Sequence, residues 1–439
     1  MVMQFDVADP ATQRLQAIEA DIRAGRLAPA LAALNAFKAA HPADVRAGLF
    51  EGLIARASKD SAREIAALQR TTQLAPQWAR AQMEFALALS REGRHAEAIA
   101  AASSAVELAP GEMPPLEAAV AVATAAGNPQ IAYGYLEKAS ALWPDNAAIC
   151  RQSAIALTNL GRHAEAEANW RKLLAAQPDD PMAIRNLGVC LAAMGRTDEA
   201  CAQFEKALRD SPGDATIQFY LAAARGETPA AQPKEVVQGI FDGYASYFDR
   251  HLVGRLKYGV PRRITEIIRT RQNGNVQMNV LDLGCGTGLI GVYLGRVAGA
   301  FVGVDLSGKM LEQAARHKIY TALRQADLLD ELRRSPADFF DYIVAADVFI
   351  YVGDVSAVIP ACFRVLRPGG ALVFSCESTN EAEGALVLRP SKRYAHSQSS
   401  IEVLCQQSGF ARCDIQTMDV RLENEMPIPG YIAVAEKAA

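Results

Sequence analysis

At 439 residues, half of them apolar, the chain is too long for one ordinary hydrophobic core, and two folded parts are expected. Its net charge of -4 and the lack of a basic tail disfavour a dedicated nucleic-acid binder. Eight cysteines without a C-x-x-C pair argue against a disulfide framework or a zinc site.

Met1 to Pro10 reads as no secretory signal, and no apolar run approaches the length of a bilayer span, so a cytoplasmic setting without a membrane is expected. From there the chain repeats itself. Prolines at 42, 76, 110, 144, 178 and 212 are spaced by 34 residues. Gly25, Gly93, Gly127, Gly161 and Gly195 stand seventeen residues before them, and Ala30, Ala98, Ala132, Ala166 and Ala200 twelve before. Only the second repeat departs, with Lys59 and Glu64 at those places. Glycine allows a tight turn between antiparallel helices, a small alanine lets the helices approach, and proline stops the second helix. Each unit is therefore expected to be a helical hairpin. With the near-identical segments Gly93 to Ala98 and Gly161 to Ala166, the pattern resembles the tetratricopeptide repeat.

That resemblance covers residues 11–225 as six repeats and a capping helix, Ala215 to Ala224. It implies a solenoid whose concave face holds a protein partner. Arg46, Arg80, Arg151 and Arg185 fall at the positions the family presents there, with Glu117 as the main opposing charge. They read either as a groove for an acidic segment or as solvated arginines at helical spacing. His95 and His163 occupy matched places and read as packing residues.

Residues 226–234, with two prolines, a glycine and no apolar period, have the composition of a linker. Beyond them, over residues 235–439, short Val/Ile/Leu-rich runs alternate with helical patterns, which predicts a parallel sheet with helices on both faces. Val280 to Gly288 reads as a buried strand entering a glycine-rich turn, and the next strand ends in Asp305, where a carboxylate can accept from both hydroxyls of a ribose. A dinucleotide turn would place its third glycine one residue later, where Leu289 stands, and Asp282 would repel a phosphate. It suits a cofactor with an ammonium and a sulfonium instead.

The run L-D-L-G-C-G-T-G followed by V-G-V-D-L-S resembles the first two motifs of the class I S-adenosylmethionine-dependent methyltransferases. Further pieces follow in order: Gln325 to Leu328 after the third strand, Phe340 to Asp347 as the fourth, Leu366 to Gly370 before the fifth, and two final strands, the last antiparallel. The implied fold is an all-α solenoid followed by an α/β Rossmann-like seven-stranded domain, as in predicted bacterial methyltransferases that carry tetratricopeptide repeats. Its implied cofactor is S-adenosylmethionine, held by Asp282, Gly284, Cys285, Gly286, Gly288, Asp305, Leu306 and Met310, with Asp327 and Leu328 at the adenine and Ala346 and Asp347 beside the active-site loop. Asp327 and Asp347 read equally as helix caps, and Cys285 as a buried filler.

Two segments fall at the mouth of such a site. Phe241, Tyr244 and Phe248 recur at helical spacing, with Tyr247 and His251 beside them, and resemble the aromatic segment that covers the cofactor in many small-molecule members. Tyr244 would touch the cofactor and Tyr247 the reacting end, unless the stripe is core packing. After the fifth strand, Arg393 could hold an acceptor carboxylate and His396 could take a proton, or both could be surface loop residues. The loop after the fourth strand lacks a Pro-Pro-aromatic signature and there is no Pro-Cys nucleophile, so a small-molecule acceptor is the default. A protein methyltransferase whose array recruits its substrate, and a non-catalytic cofactor-binding scaffold, are the alternatives.

Overall fold

In the computed structural model, residues 9–244, 258–272, 276–380, 382–423 and 426–439 are described. Their first part is helical throughout. Pro10–Arg23 with Leu27–Ala40, Arg46–Ala57 with Ser61–Leu74, Ala79–Arg91 with His95–Leu108, Met113–Ala125 with Pro129–Leu142, and Ala147–Asn159 with His163–Ala176 form five hairpins. Pro181–Ala193 and Thr197–Asp210 form a sixth, and Ala215–Ala224 follows it.

The turns show why the period holds. Gly25, Gly93, Gly127, Gly161 and Gly195 take φ of 72, 73, 65, 71 and 76°, the left-handed region where a side chain is strained. Lys59 adopts the same conformation at φ 60° and carries that strain. At the next matched position Ala30, Ala98, Ala132, Ala166 and Ala200 are buried, whereas Glu64 cannot simply be packed away. It is 4% exposed and pairs with Arg56 at 2.8 Å and Arg91 at 2.6 Å. Arg56 also pairs with Glu84, so the second repeat replaces apolar contact by a half-buried ion network.

The chain divides into two units, Met1–Ala183 and Ile184–Ala439. This division lies inside the helix Pro181–Ala193, and the proline-rich segment 226–234 falls within the second unit. That segment is held by the second unit: the Ala230 carbonyl accepts from the Asp354 amide at 2.7 Å.

Within the second unit a sheet forms from β1 Val280–Leu283, β2 Phe301–Asp305, β3 Ala322–Gln325, β4 Phe340–Ala345, β5 Leu366–Ser378, β6 Leu386–Leu388, β7 Tyr394–His396, β8 Arg412–Glu423 and β9 Met426–Glu436. Strands β3-β2-β1-β4-β5 are parallel neighbours, β9 lies antiparallel on β5, and β8 is antiparallel to β9. Those seven strands match the implied fold. The hairpin β6–β7 is an addition, with β7 continuing the edge of β5 through Glu377 and Ser378. Side chains alternate across a strand. Leu281 and Leu283 join the core with Val358, Ile359 and Cys362, whereas Val280 joins the opposite core with Ile264 and Ile268. Asp282 shares the face of Val280 and is a carboxylate on an otherwise apolar surface. No helix among the described residues is long and apolar enough to cross a membrane.

Candidate cofactor site

The turn after β1 reverses the chain within a few residues, and Gly284, Gly286 and Gly288 make that possible at φ of 63, 53 and 90°. A side chain at Gly284 would also strike Val348, its Cβ only 2.5 Å from a methyl carbon. Between the glycines, the Cys285 amide extends the ladder to the Val304 carbonyl at 2.9 Å. Its thiol is buried, and burial raises its pKa far above the ordinary range, so it is an inert filler.

Asp305 meets this turn from the end of β2. One carboxylate oxygen accepts from the Gly286 amide at 2.9 Å and the other from the Ser307 amide at 2.8 Å. Burial raises its pKa, partly opposed by these amides, and Asp242 adds to the rise. Asp242 comes from the helix Lys234–Tyr244 and accepts from the Ser307 hydroxyl at 2.6 Å. Beneath the turn, Tyr320 donates to Asp282 at 2.6 Å and accepts from the Gly291 amide at 3.2 Å. The other Asp282 oxygen is buried without a partner. Burial pushes this carboxyl up to about 7 despite the tyrosine bond, with Asp305 reinforcing the shift. Here the donor set is two carboxylates around a bare backbone turn, with an orphaned acceptor. It fits a nucleoside-bearing cation and opposes a phosphate.

Other expected contacts are placed differently. Met310 is wholly buried, its amide on the Ser307 hydroxyl. The Leu306 carbonyl accepts from Gln325 at 3.0 Å. Asp327 is the cap of the helix Leu328–Arg334, accepting from Leu329 at 2.9 Å, and also pairs with Lys234 at 3.0 Å. Its capping role, the bland reading in the sequence, is the one the geometry shows. Ala346 remains half-buried beyond β4. Asp347, at φ 53°, accepts from the Ser375 hydroxyl at 2.7 Å and from Arg421 at 3.0 Å, so its carboxylate is spent within the protein.

Arg421 completes a buried arrangement that the sequence reading missed. It is 5% exposed and bridges Asp347 and Glu377. A register shift between Asp419 and Arg421 on β8 accompanies this placement, as bulges commonly re-aim a side chain. The available signal was Glu377, a charge at the end of a run that otherwise reads as buried strand; Arg421 gave none, because its own strand carries charges along its length. Arg393 pairs with Glu423 at 2.8 Å and donates to the Tyr351 hydroxyl at 3.4 Å, so its charge is already matched. His396 lies on β7 and not in a surface loop: it is 4% exposed and its Nε2 donates to the Gly353 carbonyl at 2.7 Å. Burial lowers its pKa and keeps the ring neutral. Tyr247, Phe248 and His251 lie outside the described residues, as does the side chain of Tyr244. Phe241 packs edge-on against Tyr351, with ring centroids 5.2 Å apart.

On the repeats, three of the four arginines expected in the groove are paired within the chain: Arg46 with Asp44 at 2.6 Å, Arg80 with Glu19 at 2.8 Å and Arg151 with Asp180 at 2.6 Å. Arg185 lies near the Tyr220 phenol. Arg46 is mostly buried, and it is not the solvated charge that helical spacing suggested.

Comparison with known proteins gives the class. Residues 281–374 match the family model described as a methyltransferase domain, and residues 65–112 and 151–215 match the tetratricopeptide repeat. The chain therefore joins tetratricopeptide repeats to a methyltransferase domain. A similar relative is the mitochondrial ubiquinone biosynthesis O-methyltransferase of Bos taurus, 30% identical over 35% of this chain and 45% of that protein. The ubiquinone biosynthesis O-methyltransferase of Psychrobacter arcticus is 28% identical over 34% of this chain and 64% of the relative. The chain thus spans less than two thirds of these relatives. Among solved structures, the 1,6-didemethyltoxoflavin-N1-methyltransferase of Burkholderia thailandensis aligns at 19% identity over 48% of this chain and 93% of its own, with a TM-score of 0.38.

Proposed function

We propose that the chain transfers a methyl group from S-adenosylmethionine to a small-molecule acceptor, with the repeats binding a protein partner. The observation that carries this reading is the pair Asp282 and Asp305 around the glycine turn. Carboxylates there suit a ribose and a cation. The similar relatives named above, O-methyltransferases of ubiquinone biosynthesis, support a small acceptor. When bound, the sulfonium supplies a methyl group already activated for attack, so the chain's own work is to orient and to exclude water. Asp305 would hold the ribose, and Asp282 would face the cation. Phe241 and Tyr351 would shield the reacting end, where Asp347, Arg421 and Glu377 give the loop after β4 a fixed shape.

The test is incubation of the protein with methyl-labelled S-adenosylmethionine and a fractionated cell extract. Label is expected in small molecules and not in polypeptides. Label in protein would make the repeats a substrate-recruiting module, and no labelled product from any fraction would count against turnover.

A further inference from the structure

Four of the chain's eight cysteines meet in one apolar core of the second unit: Cys362 on the helix Val358–Val365, Cys376 on β5, Cys405 on the helix Gln398–Gln407 and Cys413 on β8. Two of them face each other. The chain leaves the helix after Cys405, turns with the Phe410 amide on the Cys405 carbonyl at 3.1 Å, and enters β8, which sets the Cys405 thiol to donate to the Cys413 sulfur. Only one of the pair meets solvent. Cys405 is wholly buried, as are Cys362 and Cys376, whereas Cys413 is half-buried on a strand that, among the described residues, pairs with β9 alone. The bond from Cys405 lowers the pKa of Cys413, against burial and the nearby Glu402 and Asp414 carboxylates, and the same bond raises that of Cys405. Cys413 is therefore the more acidic and the more accessible thiol, with Cys405 behind it. Among the described residues no three His, Cys, Asp or Glu side chains are placed to hold a metal ion, so the pair belongs to no metal site.

We propose that Cys413 and Cys405 form a reversible disulfide when they meet a hydroperoxide. In the first step the Cys413 thiolate attacks the terminal oxygen, an S–O bond forms as the O–O bond breaks, and water or an alcohol leaves after taking a proton from solvent. The product is a sulfenic acid at Cys413. The Cys405 sulfur then attacks it, an S–S bond forms as the S–O bond breaks, and the leaving hydroxide carries off the Cys405 proton as water. Over both steps the two thiols give up two electrons in total and the hydroperoxide takes them. A small dithiol reverses the change by exchange. Neither Cys362 nor Cys376 competes, because each is wholly buried and its pKa is raised by burial. The bond ties the start of β8 to the end of the helix before it, on the strand that further along carries Arg421. This reaction lies outside methyl transfer and does not depend on the cofactor assignment.

The test treats the reduced, folded full chain with hydrogen peroxide, blocks the remaining thiols with an alkylating agent, and then unfolds and digests it. Two of the eight thiols are expected to escape alkylation, and dithiothreitol added before the block should restore both. Trypsin cuts after Arg412, between the two cysteines, so the map should show the peptide Tyr394 to Arg412 joined to the peptide Cys413 to Arg421, lighter than their sum by two hydrogens. Cys413→Ser should keep all of its thiols under the same treatment. Cys405→Ser should stop at the sulfenic acid, which dimedone then labels at Cys413. Should either variant fail to fold, the peptide map of the parent chain decides alone. The proposal is overturned if no thiol is lost, if either cysteine is joined to a different one, or if Cys413 in the parent chain gains oxygen without the link.

Discussion

Asp305 and Asp327 are two carboxylates that follow strands, and their surroundings give them different work. Asp305 ties the glycine turn to β2 through two backbone amides and faces the proposed ribose. Asp327 is committed to a helix cap and to Lys234. Asp305→Ala is expected to weaken S-adenosylmethionine binding by about 1.5 to 3 kcal/mol, the range for hydrogen bonds to a charged group. Asp327→Ala should instead cost about 1 kcal/mol of stability, as a lost cap does, with cofactor affinity nearly unchanged. Calorimetry and urea unfolding on both variants check the contrast, and equal loss of affinity in the two would remove it. The glycines and Asp305 were legible because their chemistry is local to a turn. The pairing of Asp347 and Glu377 with Arg421 was not, because it joins residues 74 and 44 positions apart and depends on strand order and on a register shift.

At the scale of elements, two departures from pattern can be weighed. The Lys59 turn was visible in the sequence as the missing glycine of the second repeat, and the structure gives it a cost: a side chain at φ 60°. Lys59→Gly removes that strain but adds freedom to the unfolded chain, so a net gain of about 0.5 to 1 kcal/mol is expected. A higher urea midpoint would show it. On β8, Arg421 balances two buried carboxylates, and Arg421→Met removes the cation that is bonded to both. A loss of about 3 to 5 kcal/mol is expected, as when one partner of a buried pair is removed. Adding Asp347→Asn and Glu377→Gln should recover much of it, because neutral side chains no longer need the guanidinium. If the triple variant unfolds as early as the single one, the network matters through shape and not through charge.

For the whole molecule, the segment 226–234 was read from its composition as a free connection, and its contacts say otherwise. The Ala230 carbonyl accepts from the Asp354 amide at 2.7 Å, and the neighbouring Gly353 carbonyl accepts from buried His396. Gly353 is at φ 77°, and a Cβ there would come within 2.3 Å of the Ala230 oxygen, so the loop is shaped to receive this stretch of chain. Lys234 then closes on Asp327. No pattern of residue types announces such docking, since proline and alanine contribute only backbone to it. We propose that the separable methyltransferase domain begins at this segment, so where a fragment starts within it should matter. A fragment from Gly226 to Ala439 is expected to fold and to bind S-adenosylmethionine. One from Gln232 loses Ala230 and its backbone bond, worth about 1 kcal/mol, and should melt roughly 2 to 4 °C lower. Thermal unfolding and calorimetry on the pair decide it: coincident melting would make the segment a passive tether, whereas loss of cofactor binding by the longer fragment would mean that the repeats complete the site.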